Sequence, residues 1–281
     1  MEPTDKLPTN PLPPVESSIG LKPHTHIGER LVYLRDLLSV LVSREMKLRY
    51  KRSTLGFAWS LLNPLAQMLV FSFIFRKVLP LNIPNYPAFL ISGLLAWNWF
   101  NASLYQATDA IVGNRELIRR PGFPAAILPV VTVTSHMVHF LLALPILAIF
   151  LVVSGIYLTP AVLALPLVIA LQFIFTLSLA YLAATFHVTF RDTQYLLGIF
   201  LLLGFYLTPV FYDAGAIPQQ YQAVYRINPM LDLIESYRLI LLHGQLPSAL
   251  SVIELGLVSC ILLLIGFRVF KAASDRFVEE L

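Results

Sequence analysis

The amino-acid sequence specifies an all-α integral membrane protein: six transmembrane helices, an N-terminal interfacial amphipathic helix, and short outer-side helices between spans five and six. Composition, the spacing of charge-free stretches and the side on which basic residues gather all point there. Of 281 residues, 57% are apolar and 13% charged, where soluble proteins run at roughly 45–50% and about 25%. Mean hydropathy is +0.72. Nine of the twenty Lys and Arg residues precede Ser53, and most of the remaining chain is nearly free of charge. This composition disfavours a disordered chain, a collagen, a nucleic-acid binder and a disulfide scaffold, the last because Cys260 is the only cysteine and has no partner within the chain.

Residues 1–27, rich in Pro, Thr and Ser without periodicity, read as a flexible cytoplasmic tail. Over residues 28–52, Leu31, Leu34, Leu38, Leu41 and Val42 recur at helical spacing, followed by Arg44, Lys47, Arg49, Lys51 and Arg52. An apolar stripe with basic residues behind it predicts a helix lying in the cytoplasmic interface, where plain anchoring of the first span would explain the charges but not the stripe. Crossing a hydrocarbon core of about 30 Å takes about 20 apolar residues. Residues 53–75 and 78–108 lack Asp, Glu, Lys and Arg and supply spans one and two. Residues 121–190 form an uncharged run of 70 that Gly155 and Pro160 divide into a hairpin of two spans. Residues 193–212 give the fifth, and residues 239–267, interrupted only by Glu254 and lying mostly after Pro247, the sixth. The six-span block 53–271 is followed by a short cytoplasmic tail, 272–281. With six crossings, sixteen of the twenty basic residues fall on the side of the termini, and Arg76, Lys77, Arg226 and Arg238 on the other. The positive-inside rule makes both termini cytoplasmic.

Two connections exceed what a turn needs. Residues 107–124 mix Ile111, Val112, Leu117 and Ile118 with Arg115, Glu116, Arg119 and Arg120 before Pro121, which suits either a short cytoplasmic helix that docks a partner or a solvated loop. On the outer side, 35 residues separate spans five and six. There Asn228 caps and Pro229 starts a helix with Met230, Ile234, Tyr237 and Leu241 on one face and Gly244 at its end. Too short and too charged to span, it is interfacial or re-entrant, and an outward gate is one use for it.

No GxxxxGK(S/T) phosphate loop, HExxH or GxSxG motif occurs. His136 and His139, three apart on span three, have no Asp, Glu or Cys near them in sequence, so they are read as hydrogen-bonded residues within the bundle rather than metal ligands. No catalytic or metal site is expected. Intramembrane charge is limited to Glu254, which disfavours a proton relay. The aromatics Trp59 and Phe71 in span one, Trp97, Trp99 and Phe100 in span two, and Phe205 and Tyr206 in span five fit an aromatic belt at the bilayer edges or, alternatively, a lining that packs on sugar rings.

The segments REMKLRYKRSTLGFAWSLLNPL (residues 44–65), YPAFLISGLLAWNWF (86–100), GNRELIRRPGFP (113–124), FRDT (190–193), YLTPVFY (206–212) and NPM (228–230) together resemble the permease subunit of polysaccharide-exporting ABC transporters, which include O-antigen, capsular polysaccharide and teichoic acid exporters. The resemblance implies a homodimer in the bacterial cell membrane joined by two copies of a separate ATPase, with ATP and Mg on that partner and no cofactor in this chain. It implies a cargo glycan on undecaprenyl diphosphate, received by Arg49, Tyr50, Lys51 and Arg52, whose basic groups suit an anion at the interface. It further implies ATPase coupling through Gly113, Asn114, Arg115, Leu117, Ile118, Arg119 and Arg120, and an outer gate at Phe211, Tyr212, Asn228 and Pro229. A drug or small-lipid exporter permease is the alternative. A membrane-embedded transferase would require carboxylates at metal-binding spacing, and none is visible.

Overall fold

A computed structural model describes residues 27–51 and 58–280. The tail before residue 27, Arg52 and the start of the first predicted span lie outside the described residues. The chain divides into a small unit that ends at Leu37 and a larger one, Leu38–Leu281. Helix α1 (Ile27–Tyr50) runs through both. In the small unit Leu31 of the predicted stripe is exposed, whereas in the larger unit Leu41 is buried.

The larger unit is built of helices joined by turns, with no strand among its described residues. Helix α2 (Ala58–Phe73) carries Pro64 in its interior and passes into a single π-helical turn, Ile74–Val78, that ends in Arg76 and Lys77. Cations suit the negative end of a helix. The chain then turns through Asn82 and Asn85, both left-handed at φ 54° and 47°, a conformation that Asn tolerates better than most side chains. Helix α3 (Tyr86–Thr108) follows and is the centre of the bundle, packed against α2 and four later helices: α5 (Ile127–Val153), α6 (Leu165–Thr189), α7 (Thr193–Leu207) and α9 (Pro229–Leu241). Seventeen of its 23 residues are buried, so it has no polar face to present, as a helix that is apolar all round requires.

The connection between α3 and α5 holds a 3-10 turn (Val112–Asn114) and α4 (Arg115–Ile118). The predicted hairpin break is in place: Gly155 takes φ +79°, and Thr159 Oγ1 accepts from the Ala161 N–H at 3.3 Å to start the 3-10 turn Pro160–Ala164 that leads into α6. Gln172 Nε2 on α6 donates to the Ala96 carbonyl of α3 at 2.8 Å, and Tyr181 Oη donates to the Ala126 carbonyl at 3.0 Å. After α7 come the 3-10 turn Ala214–Ala216, α8 (Gln219–Tyr225), α9, α10 (Ala249–Ser274) and α11 (Phe277–Glu280). Helix α10 lies so close along α6 that a Cβ on Gly266 would come within 2.4 Å of the Ser178 carbonyl oxygen.

Among the described residues, three helical stretches are long and apolar enough to cross a membrane: Ile127–Val153, Pro160–Thr189 and Ala249–Ser274. Several bounds differ from the charge-free runs. Helix α3 begins only at Tyr86, because the Asn82 and Asn85 turns precede it. Helix α7 stops at Leu207, five residues before the end of its run, and α10 is capped by Ser248, whose Oγ accepts from the Ser251 N–H at 3.0 Å. At its other end α10 continues past Arg268 and Lys271, and Phe277 of α11 is buried edge-on against Phe270 at 5.2 Å. Absence of charge marks where a helix is able to cross, and backbone caps decide where it stops.

Candidate functional site

The last turn of α1 presents Arg49 and Tyr50 to side chains of α3 and α5. Gln106 lies near the end of α3, and its amide is held in one orientation. Its Nε2 donates to Glu45 Oε1 at 2.6 Å, and a carboxylate only accepts, so the amide oxygen faces the other way. That oxygen accepts from Arg49 Nη2 and lies 2.9 Å from His136 Nε2. One turn further along α5, His139 Nδ1 lies 3.0 Å from Tyr50 Oη, with the two rings edge to face. The two histidines do share one helix face, and the structure gives them hydrogen-bonding partners from α1 and α3.

This cluster forms one end of a cleft of about 730 Å³, lined by Arg49, Trp59, Asn63, Asn98, Trp99 and His139 among others. Its walls combine aromatic faces with side-chain amides, a mixture able to pack on the apolar side of a sugar ring while bonding its hydroxyls. A second cavity of about 290 Å³ lies on the far side of the Glu45–Gln106 pair and reaches Asp109, Gly113 and Asn114. Lys51 is exposed, as is Arg49.

The seven aromatics singled out in the sequence fall into different settings. Trp59 and Tyr206 are about half exposed. Trp99 is buried against Phe140 at 5.1 Å, its Nε1 donating to the Val133 carbonyl at 3.3 Å. Trp97 and Phe100 are buried together, with Trp97 5.9 Å from Phe205. Phe71 stacks with Phe75 and Phe211, both also ringed by Phe205 or Tyr86. Phe71, Phe205, Tyr206 and Phe211 therefore form one continuous cluster, joined by Tyr212 at 5.0 Å from Phe211. Trp59 and Trp99 line the cleft instead.

The segment between α7 and α8 is shaped by a residue that the sequence marked only as an outside charge. Arg238, on α9, is 1% exposed. Its Nη1 donates to the Pro209 carbonyl and its Nη2 to the Val210 carbonyl, each at 2.7 Å, while Glu235 Oε1 accepts at 3.2 Å. The guanidinium also sits 3.5 Å over the Phe89 ring. Burial lowers its pKa to about 10, opposed by Glu235, so it stays charged at neutral pH. Room for it comes from Gly93, where a Cβ would stand 3.0 Å from Nη2. Asn228 works as expected, its Oδ1 accepting from the Met230 N–H at 3.0 Å ahead of Pro229, and its Nδ2 also donates to Thr208 Oγ1 at 2.8 Å. Tyr86 Oη donates to the Phe211 carbonyl at 2.8 Å. No sequence pattern announces Arg238 or Gln106, since apart from Glu235 their partners lie 28 to 61 residues away.

On the connection between α3 and α5, Arg115, Arg119 and Arg120 are exposed while Ile118 is buried and Leu117 half-buried. Asn114 Nδ2 donates back to the Ala110 carbonyl at 3.0 Å, and α11 packs against α4. Among the described residues no group of His, Cys, Asp and Glu could hold a metal ion.

Residues 36–242 match the family model described as ABC-2 type transporter. The chain is 38% identical over 253 residues to the O-antigen export system permease protein RfbA of Myxococcus xanthus, covering 89% of this chain and 97% of that one. A protein of the same name from Klebsiella pneumoniae is 35% identical with the same coverage. The polysialic acid transport protein KpsM of Escherichia coli is 22% identical over 86% of this chain and 95% of its own. With most of its length matched by the family and by these transport proteins, the chain belongs to the ABC-2 type transporter family.

Proposed function

We propose that this chain is the permease subunit of an ATP-driven exporter that moves a polysaccharide, carried on undecaprenyl diphosphate, across the bacterial cytoplasmic membrane. The observation that carries this is the nearly end-to-end likeness to two O-antigen export permeases. The cleft supports it, because its amide and aromatic walls suit a glycan and Arg49 stands at one end for an anion. Two copies of this chain form the channel, and two copies of a cognate ATPase bind ATP and Mg and drive it. Helices α2, α3, α5, α6, α7 and α10 are the six crossings of the permease domain, residues 53–271, with both termini cytoplasmic and α1 lying in the inner interface.

Arg49, Tyr50, Lys51 and Arg52 receive the diphosphate at the cytoplasmic edge. The exposed arginines of residues 113–120, set on the buried Ile118, dock the ATPase. Phe211, Tyr212, Asn228 and Pro229 belong to an outer gate, and the Phe71, Phe205 and Tyr206 cluster, with Trp97 and Phe100 beside Phe205, lies beneath it on the glycan's route, while Trp59 and Trp99 line the cleft.

Deleting the gene is expected to leave lipid-linked polymer inside the cell while surface polymer disappears, measured by fractionated polysaccharide staining. Complementation with Arg119→Glu/Arg120→Glu should restore the protein to the membrane but neither export nor co-purification of the ATPase. Unchanged surface polysaccharide together with new sensitivity to a toxic small molecule would replace this function with drug export.

A further inference from the structure

Arg49 and His136 aim at a single point, and Gln106 occupies it. The orientation follows from chemistry alone. The Gln106 amide nitrogen is committed to Glu45 at 2.6 Å, so its oxygen is the atom that meets Arg49 and His136. A guanidinium only donates, and an imidazole nitrogen 2.9 Å from an amide oxygen bonds to it only by donating, so His136 carries its hydrogen on Nε2. Arg49 Nη2 and His136 Nε2, 3.4 Å apart, are then two donors side by side rather than a bonded pair. Two N–H groups, one permanently cationic, converging on one oxygen is the arrangement a phosphate oxygen requires.

We propose that Arg49 and His136 form an anion cradle for a phosphate group, and that the Gln106 carbonyl is its internal stand-in, filling the cradle until a diphosphate displaces it. This rests on the head-group role of Arg49 proposed above, and adds His136 as a second binding residue and Gln106 as a competitor for the site. A neutral amide oxygen is the weaker acceptor, since hydrogen bonds to an ionised partner are roughly twice as strong as neutral ones. The exchange therefore runs toward phosphate. The released amide keeps its bond to Glu45, and the cavity of about 290 Å³ beside it, reaching Asp109, Gly113 and Asn114, gives it room to swing. Occupancy of the cradle thereby changes contacts at the residues leading into α4, the segment assigned to the ATPase.

The test uses the full chain in lipid nanodiscs and isothermal calorimetry with three probes: inorganic pyrophosphate, farnesyl diphosphate and farnesol. Gln106→Ala removes the competitor and is expected to tighten diphosphate binding about three- to tenfold, as freeing a partly blocked site does. Gln106→Glu, which places a carboxylate in the cradle, should weaken it at least tenfold. His136→Leu should weaken it about tenfold, the usual range for losing a hydrogen bond to a charged group, with His136→Asn, which keeps a donor, in between. A purely structural Gln106 would weaken binding when truncated, never tighten it. Equal affinity for pyrophosphate and farnesyl diphosphate means that the phosphates alone are read. Tighter farnesyl diphosphate with silent farnesol identifies a lipid head group, and either pattern with a tightened Gln106→Ala supports the cradle. If Arg49→Ala abolishes binding while Gln106→Ala fails to tighten it or His136→Leu leaves it unchanged, the cradle is overturned and the Arg49 head-group role stands. Diphosphate binding indifferent to Arg49→Ala, or no binding to the wild-type chain, overturns both.

Discussion

Arg238 satisfies two consecutive carbonyls with one planar group, and the consequence of losing it follows from what is left behind. Arg238→Met would strand the Pro209 and Val210 carbonyls next to Glu235 with no cation. Glu235 is one-third exposed and keeps water, so the cost lies in the two buried carbonyls, about 1–3 kcal/mol each, read as a clear fall in the melting temperature of the purified full-length chain. Arg238→Lys keeps the charge but not the fork that meets both carbonyls, so it should fall between. Gly93→Ala pushes a methyl against Nη2 and the Val210 carbonyl, 3.0 and 3.2 Å away, for a loss of about 1–3 kcal/mol by overpacking. An unchanged melting temperature in Arg238→Met would show that the clamp contributes nothing. Legibility at this scale divides cleanly. Asn228 and Gly155 act through their own neighbours and can be read in sequence, whereas Arg238 and Gln106 act on groups that only the fold brings near.

Among the helices, α10 approaches the backbone of α6 closely at Gly266, and the approach depends on one missing methyl. Apolar helices in lipid gain little by hiding from water, so close backbone approach at small residues holds them together. A Cβ on Gly266 would meet the backbone of Ser178 at 2.4 Å, while one on Gly256, ten residues earlier on the same helix, would meet only the Leu171 side chain at 3.5 Å. Gly266→Ala should therefore force α10 outward and destabilise by about 1–3 kcal/mol, and Gly256→Ala should be neutral or slightly stabilising. Thermal unfolding of the two purified variants checks this, and equal behaviour would mean that α10 is free to shift. The runs of uncharged residues made the existence of α2, α3, α5, α6, α7 and α10 legible. Their ends were not, because Ser248 and the Asn82 and Asn85 turns stop or start helices through local backbone geometry. The cytoplasmic connection was ambiguous for a different reason: a four-residue helix such as α4 is too short to leave a periodic pattern.

For the molecule as a whole, the side on which the termini lie follows from the crossing number and the basic residues. Fluorescent-protein fusions at either end should both glow, since such domains mature in the cytoplasm. A dark fusion at one end would make the number of crossings odd. The site was only partly legible at this scale. Arg49 and Tyr50 stood out by charge and resemblance, but their meeting with Gln106, His136 and His139 joins α1, α3 and α5 across 57 to 89 residues. Aromatic residues chosen by composition likewise separated into cleft walls and a stacked cluster only once folded.

Helix α7 has 15 residues, which at 1.5 Å per residue is roughly 22 Å of helix against a hydrocarbon layer of about 30 Å. As a crossing it is hydrophobically mismatched. A short span is accommodated by pinching the two leaflets toward each other, by reaching polar groups out to the interface, or by pairing with another protein surface. Along α7, Tyr195, Leu196, Ile199, Phe200, Leu203 and Tyr206 are all exposed in the single chain, so lipid or a second copy of the chain meets that face. Non-helical backbone at membrane depth is tolerated only where protein satisfies it, and residues 208–210, buried and held by Arg238 and Asn228, meet that condition. As the fifth crossing proposed above, α7 predicts either a locally thinner bilayer or a covering protein surface along that face.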